Sequence, residues 1–304
     1  MKETILITGS NGLLGQKLVA LMVNDGKYDV IATAKGENRL PADITGYTYA
    51  TLDIGNVQNV NDTLAKYKPH TVIHTAAMTN VDACELNKED AWINNALATK
   101  YIATSCTSLG AMLIHVSTDF IFDGKDGPYD ENAIAAPISF YGYTKLAAEE
   151  YVQNTPNLKW AIARTVLVYG IAYDMSRTNI ILWVKKSLED KKNIKVVNDQ
   201  WRTPTLAEDL AMGCYLIAQK KAEGVYNISG KDMLTPYEIA LKVADYYGLD
   251  KSYITIADSS TFSQPAKRPP KTGFIIDKAR NILGYEPVSF EKGLDILSSQ
   301  LIKK

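Results

Sequence analysis

Cysteine is scarce in this chain of 304 residues: Cys84, Cys106 and Cys214 lie far apart, are odd in number and form no CxxC pair. That excludes a disulfide framework and a zinc knuckle as organising devices. The three histidines, His70, His74 and His115, show no helical ligand spacing, so no metal site is expected. No apolar run approaches the roughly 20 residues that a membrane-spanning helix needs. There is no internal repeat and no low-complexity tract. Neither sign of charge dominates, since 33 basic and 34 acidic residues leave a formal net charge of -1. Such a balance provides no bulk attraction to nucleic acid or to an anionic membrane, and neither is expected as a partner. The opening Met-Lys-Glu-Thr runs straight into an apolar stretch, without the basic region and small-residue cleavage site of a secretion signal. A reducing cytoplasm fits these absences.

What is present is an ordinary globular composition, 46% hydrophobic and 22% charged, which argues against disorder. In the first half, short apolar runs alternate with longer stretches of helical period. Strands are expected at Thr4–Thr8, Val30–Thr33, Tyr47–Leu52, Thr71–Thr75, Met112–Ser117 and Trp160–Arg164. Helices are expected between them at Gly12–Val23, Val57–Tyr67, Lys88–Leu109 and Tyr141–Gln153. Strands joined by helical crossovers imply a doubly wound α/β fold, a parallel sheet with ligands at the carboxyl ends of its strands. The rhythm changes near Ser176, where the expected helices Asn179–Asp190 and Phe290–Leu301 flank the proline-rich run Gln264–Lys271. Residues 1–170 therefore read as a dinucleotide-binding domain. Residues 171–304 read mainly as a smaller substrate lobe, with some segments returning to the first domain. Trp92, Trp160 and Trp183 are assigned to core or interface packing.

The apolar run Ile5-Leu6-Ile7-Thr8 is followed by GSNGLLG, which places glycines at 9, 12 and 15 between a strand and a helix. Gly9 suits a tight turn, Gly12 the approach of a pyrophosphate to the backbone, and Gly15 close packing of helix on strand. The helix N-terminus offers unpaired N–H groups and partial positive charge to the phosphates. Tyr141 and Lys145 are four residues apart, hence on one face of a helix. A tyrosine titrates near 10 when free, and an ammonium close by stabilises its phenolate, so the pair is suited to proton transfer to a carbonyl oxygen. Tyr143, in the same pentapeptide, has no lysine four residues on. Upstream, Ser117-Thr118-Asp119 ends a strongly apolar strand, and a hydroxyl there can orient a substrate carbonyl.

TGSNGLLG, HTAAMTNVDACE, AWINNA, STDFIFDG, YGYTK, NDQWRTPT and KRPPKTGFIID, in this order and spacing, resemble the extended short-chain dehydrogenases. Within them the chain is most similar to the dTDP-4-dehydrorhamnose reductases, over nearly its whole length. The resemblance implies a nicotinamide-dependent reduction of a keto group on a nucleotide-activated sugar, with Tyr141 as the acid. Lys145 would hold the nicotinamide ribose and tune the tyrosine, and Thr118, with Ser117 as the alternative, would be the third member. Asp119 would lie beside the substrate, and Asn94 would be a structural helix asparagine near the site. Cofactor contacts are implied at Gly9, Asn11, Gly12, Leu13, Gly15, Asp53, Ile54, Ala76, Ala77 and Lys145. The resemblance also implies a homodimer.

The second expected strand ends in Thr33-Ala34-Lys35-Gly36, with Arg39 nearby and Glu37 the only local acid. Lys35 and Arg39 are suited to a 2′-phosphate, so NADP(H) is the expected cofactor and NAD(H) the alternative; the competing view is a solvated turn. The lobe departs from the rhamnose-pathway pattern. Leu167 stands where that group commonly has a tryptophan, and Trp201-Arg202 replaces a different aromatic and a small residue. Arg202 and Arg268 are candidates to grip a diphosphate, or else members of surface ion pairs. Residues 171–177 read as a lengthened loop over the site. Alternatives to the reductase are a related epimerase or dehydratase, or a non-catalytic NADP-binding regulatory subunit. Retention of Thr118, Tyr141 and Lys145 argues for catalysis, because a pure binder has no chemical need of a tuned phenol.

Overall fold

The computed structural model describes residues 2–174 and 178–302. The first half runs β1 (Glu3–Thr8), α1 (Leu13–Asp25), β2 (Tyr28–Ala34), β3 (Tyr47–Thr51), α2 (Val57–Tyr67) and β4 (Thr71–His74). It continues with α3 (Val81–Leu86), α4 (Lys88–Ala91), α5 (Ala98–Leu109), β5 (Met112–Thr118), α6 (Phe140–Asn154) and β6 (Lys159–Thr165). Then follow β7 (Val168–Tyr169), α7 (Ile180–Glu189), β8 (Ile194–Val197), β9 (Thr205–Leu206), α8 (Ala207–Lys220), β10 (Gly224–Asn227), α9 (Pro236–Tyr247), β11 (Ile254–Ala257) and α10 (Phe290–Ile302).

Seven strands form one parallel sheet in the order β10-β6-β5-β4-β1-β2-β3. The order reverses direction between β1 and β4, which opens a crevice at the carboxyl ends of those strands. Alternation along β1 shows why both faces are covered: Ile5 and Ile7 enter a core with Leu18 and Met22 of α1, while Leu6 enters another with Val60 and Leu64 of α2. The seventh strand, β10, comes from the second half and pairs with β6. It is absent from the expected set, because four residues opening on glycine carry little strand signal. A third core joins α7, α9 and α10 to β8 and β11, around Val184, Leu188, Val243 and Leu294. Helix α9 starts where expected, with Thr235 and Glu238 satisfying each other's backbone N–H groups.

The expected helix Lys88–Leu109 is interrupted: between α4 and α5, Trp92–Leu97 adopts a π-helical turn. The wider turn moves Asn95, rather than Asn94, to the interior. Asn95 accepts from the Met78 backbone at 2.8 Å and donates to the Met78 carbonyl and to Thr144, both at 3.0 Å. Asn94 instead caps the Asp90 carbonyl at 2.8 Å and faces a cleft. The structural asparagine is therefore residue 95. The loop expected at 171–177 is described only as far as Asp174; its last three residues lie outside the described residues.

Candidate active site

The glycine turn opens the sheet's crevice. Gly9 has φ of 69°, and a Cβ there would sit 2.8 Å from the Ala76 backbone nitrogen. A Cβ on Gly15 would lie 2.2 Å from the Gly9 carbonyl oxygen, so helix α1 reaches the turn only without one. Gly12 differs: the nearest atom to an added Cβ is 3.3 Å away. No side chain caps α1 at Gly12. That leaves an open backbone cradle at a helix N-terminus, which fits the phosphates of a dinucleotide. Asn11 supports the neighbouring loop, donating to the Glu37 carbonyl at 2.8 Å and accepting from the Arg39 backbone at 2.9 Å. Leu13, the first residue of α1, approaches Gly170.

Beside the turn lies a cleft of about 440 Å³ whose walls bring together Gly9, Lys35, Asp53, Ile54, Ala76 and Ala77. Thr33, Leu52, Met78, Asp90 and Asn94 also line it, and sequence reasoning did not single them out as cofactor contacts. Their only sequence signal is nearness to the strand ends. Lys35 is paired with Asp53 at 2.7 Å, and that ammonium holds the carboxyl below its ordinary range. Arg39 stands outside the cleft wall, 3.8 Å from Asp174.

Thr118 ends β5, and Tyr141 and Lys145 occupy successive turns of α6, whose first turn is capped by Ser139. All three side chains are buried. Burial raises the Tyr141 phenol well above its ordinary value, and the Thr118 hydroxyl beside it pulls the other way. Lysine does not dominate the phenol as the spacing suggested, because its ammonium is engaged with β5. Lys145 Nζ lies 2.8 Å from the Val116 carbonyl and 3.0 Å from His115 Nε2. Burial pushes this lysine down to about 7, against the opposite pull of Glu149. Ser117 is buried and its hydroxyl finds no protein partner.

Asp119 and Arg202 are both buried beside the end of β5. Thr118 donates to Asp119 at 3.1 Å, Thr272 donates to it as well, and Arg202 Nε stands 3.8 Å away. Burial raises the Asp119 carboxyl, opposed first by Arg202. The guanidinium of Arg202 is itself committed to the carbonyls of Trp201 at 2.8 Å, Pro269 at 2.7 Å and Pro270 at 3.2 Å. Arg202, expected as a diphosphate grip, and Asp119, expected beside the substrate, both clamp the proline-rich strap to the end of β5. Arg268 pairs with Asp82 through both nitrogens, at 3.1 and 2.7 Å. It also lines a second cleft, of about 390 Å³, with Asn179, Trp183, Lys195, Gln200 and Phe262. Trp183, assigned to packing, is 38% exposed on that wall. Trp92 stacks on Tyr143 at 5.9 Å, and Trp160 packs against the core.

Among the described residues, no group of three or more His, Cys, Asp or Glu side chains is arranged to hold a metal ion. No helix of the described residues is long and apolar enough to cross a membrane.

Comparison with known proteins gives a consistent picture. Residues 1–302 match the RmlD substrate binding domain family. The dTDP-4-dehydrorhamnose reductase of Aggregatibacter actinomycetemcomitans is 30% identical, over 95% of this chain and 96% of the relative. Methionine adenosyltransferase 2 subunit beta of Xenopus laevis is also 30% identical, over 88% of this chain and 79% of its own. The crystal structure of dTDP-4-dehydrorhamnose reductase from Bacillus anthracis in complex with NADP superposes with a TM-score of 0.85 at 29% identity. It covers 99% of this chain and 100% of that one.

Proposed function

Because this chain belongs to the RmlD substrate binding domain family, we propose that it is an NAD(P)H-dependent reductase of a nucleotide-activated keto sugar, with dTDP-4-dehydrorhamnose, reduced to dTDP-rhamnose, as the leading substrate. The observation that supports this reading is the burial of Thr118, Tyr141 and Lys145 together at the carboxyl end of β5, two strands along the parallel sheet from β1, whose carboxyl end runs into the open glycine turn. The turn at Gly9–Gly15 would hold the pyrophosphate, and Asp53, Ile54, Ala76 and Ala77 the adenosine half. Lys145 would take the nicotinamide ribose. The reduced nicotinamide supplies a hydride when bound.

The chain's own groups do the rest. The Thr118 hydroxyl orients the sugar carbonyl, and Tyr141, kept protonated by burial, hands its proton to the carbonyl oxygen as charge develops there. Residues Asn179, Lys195 and Arg268 on the second cleft are suited to the nucleotide half of the substrate. NADP(H) is the favoured cofactor, since β2 ends without a carboxylate and Lys35 stands on the cleft wall.

The test is oxidation of NADPH and NADH, followed at the nicotinamide absorbance, with freshly generated dTDP-4-keto-6-deoxy-L-lyxo-hexulose. Tyr141→Phe is expected to lower kcat by about 10²–10⁴-fold with NADPH binding unchanged; a variant that keeps full turnover rules out the acid assignment. A second reading, a regulatory subunit, is favoured by the equal similarity to methionine adenosyltransferase 2 subunit beta. NADPH binding without turnover of any keto sugar is the outcome that selects it.

A further inference from the structure

Beneath the glycine turn, three buried side chains from different elements stand in line: His74 at the end of β4, His115 in β5 and Lys145 in α6. The two imidazoles face each other with centroids 5.4 Å apart. Their hydrogen-bond partners assign their tautomers. The Thr8 hydroxyl lies within reach of the backbone N–H groups of Thr75, at 3.2 Å, and Ala76, at 3.3 Å. Those donors fill its two acceptor positions, so its own hydrogen goes to His74 Nδ1, 2.8 Å away. His74 is therefore a neutral ring carrying its proton on Nε2. Burial holds its pKa down at about 3, so it stays neutral.

His115 is kept neutral in the same way, by burial first and then by Lys145 and His74. Its Nε2 faces Lys145, which below about pH 7 is an ammonium with three N–H bonds and no acceptor capacity. Nε2 must then accept, and the His115 proton sits on Nδ1. Two ring nitrogens remain buried without a protein partner, His74 Nε2 and His115 Nδ1. Neutral imidazoles retained in such a place, rather than leucines, need a purpose beyond packing, because an unpaired buried donor destabilises the fold.

We propose that His115, backed by His74, is a positioning residue for Lys145: its neutral Nε2 and the Val116 carbonyl hold two of the three ammonium N–H bonds and leave the third for the cofactor ribose. His74 serves by occupying the space behind His115 with a ring that does not take up a proton, so that His115 remains an acceptor. The other groups acting on the lysine are Glu149 of α6, bound to Arg164 of β6 at 2.7 Å. The functional consequence of this arrangement rests on the reductase reading, but the arrangement itself is measurable without it.

The experiment is a pH titration of the Lys145 13Cε resonance in the full chain, with no cofactor or substrate added, assigned by its loss in Lys145→Met. In His115→Leu the lysine is expected to titrate about one pH unit or more below wild type, because an acceptor of the charged form is lost. In His115→Gln, whose amide oxygen can accept in place of Nε2, it is expected to stay near wild type. Equal shifts in both variants, or none in either, overturn the proposal. Should the leucine variant fail to fold, the imidazole 15N resonances of the wild-type protein at about pH 6 decide instead. An unprotonated His115 Nε2 supports the proposal, and a protonated one overturns it. Absence of reductase turnover in a protein that shows the expected lysine shifts would sink the reductase reading and leave the positioning role standing.

Discussion

The two clefts are lined by different residues and are held open by different kinds of force. At the glycine turn, shape comes from backbone sterics, through the positive φ of Gly9 pressed against the Ala76 backbone and the absence of a Cβ on Gly15. Around the proline-rich strap and Arg268 of the second cleft, shape comes from side chains that meet across long stretches of chain. Thr272 reaches Asp119 over 153 residues, Arg268 reaches Asp82 over 186, and Arg202 reaches Pro269 over 67. A site built from backbone is insensitive to side-chain substitution elsewhere and intolerant of one extra methyl. A site built from distant clamps has the opposite vulnerabilities.

The largest expected effect tests the clamp. Arg202→Met leaves the buried Asp119 carboxylate and three carbonyls without their guanidinium. A loss of about 3 kcal/mol in urea unfolding is expected, with NADPH affinity nearly unchanged because the glycine turn is untouched. Equal damage to both clefts would mean that they are not separately held. Next come two glycine-to-alanine changes in the same turn. Gly15→Ala should destabilise by at least ~2 kcal/mol, since its Cβ meets backbone on Gly9 and Ser10. Gly12→Ala should change stability by no more than ~1 kcal/mol yet weaken NADPH binding about tenfold in a fluorescence titration, because the methyl would stand where the pyrophosphate approaches.

Acid sharpens the contrast from the side of the sheet. Burial pushes the His74 imidazole from its ordinary 6.5 down to about 3 in the folded chain. The unfolded chain therefore binds more protons across that window, and stability falls as pH drops through it. The slope is up to ~1.4 kcal/mol per pH unit for this group, measurable as urea midpoints from pH 6.5 to 4 and diminished in His74→Leu. The smallest effect concerns Lys35, whose side chain is 78% exposed and paired with Asp53. Lys35→Ala should weaken NADPH binding by about fivefold, a modest figure because solvent screens the contact, and leave NADH within about twofold. An equal loss for both cofactors would remove the 2′-phosphate role.

Much of this arrangement was legible in the residues. Six of the seven sheet strands follow from apolar runs separated by helical periods, and the turn follows from glycine spacing. Other features leave no such trace. Asn94 and Asn95 are neighbours, about 100° apart around a regular helix, and a single π turn decides which of them faces inward. Arg202 carries the same charge whether it grips a ligand or three carbonyls. Trp183 has the apolar bulk of a core residue, and only its position on the cleft wall shows otherwise.

The sequence by itself determined the parallel α/β layout, the glycine turn and the shared helical face of Tyr141 and Lys145, because each is a matter of backbone sterics or of a period repeated along a few residues. Tertiary structure alone decided that β10 completes the sheet, that Arg202 and Asp119 bind each other's surroundings, and that Lys145 rests on His115. Those outcomes depend on which desolvated polar groups meet after the chain has closed, and a buried charge takes whichever partner the packing brings within reach.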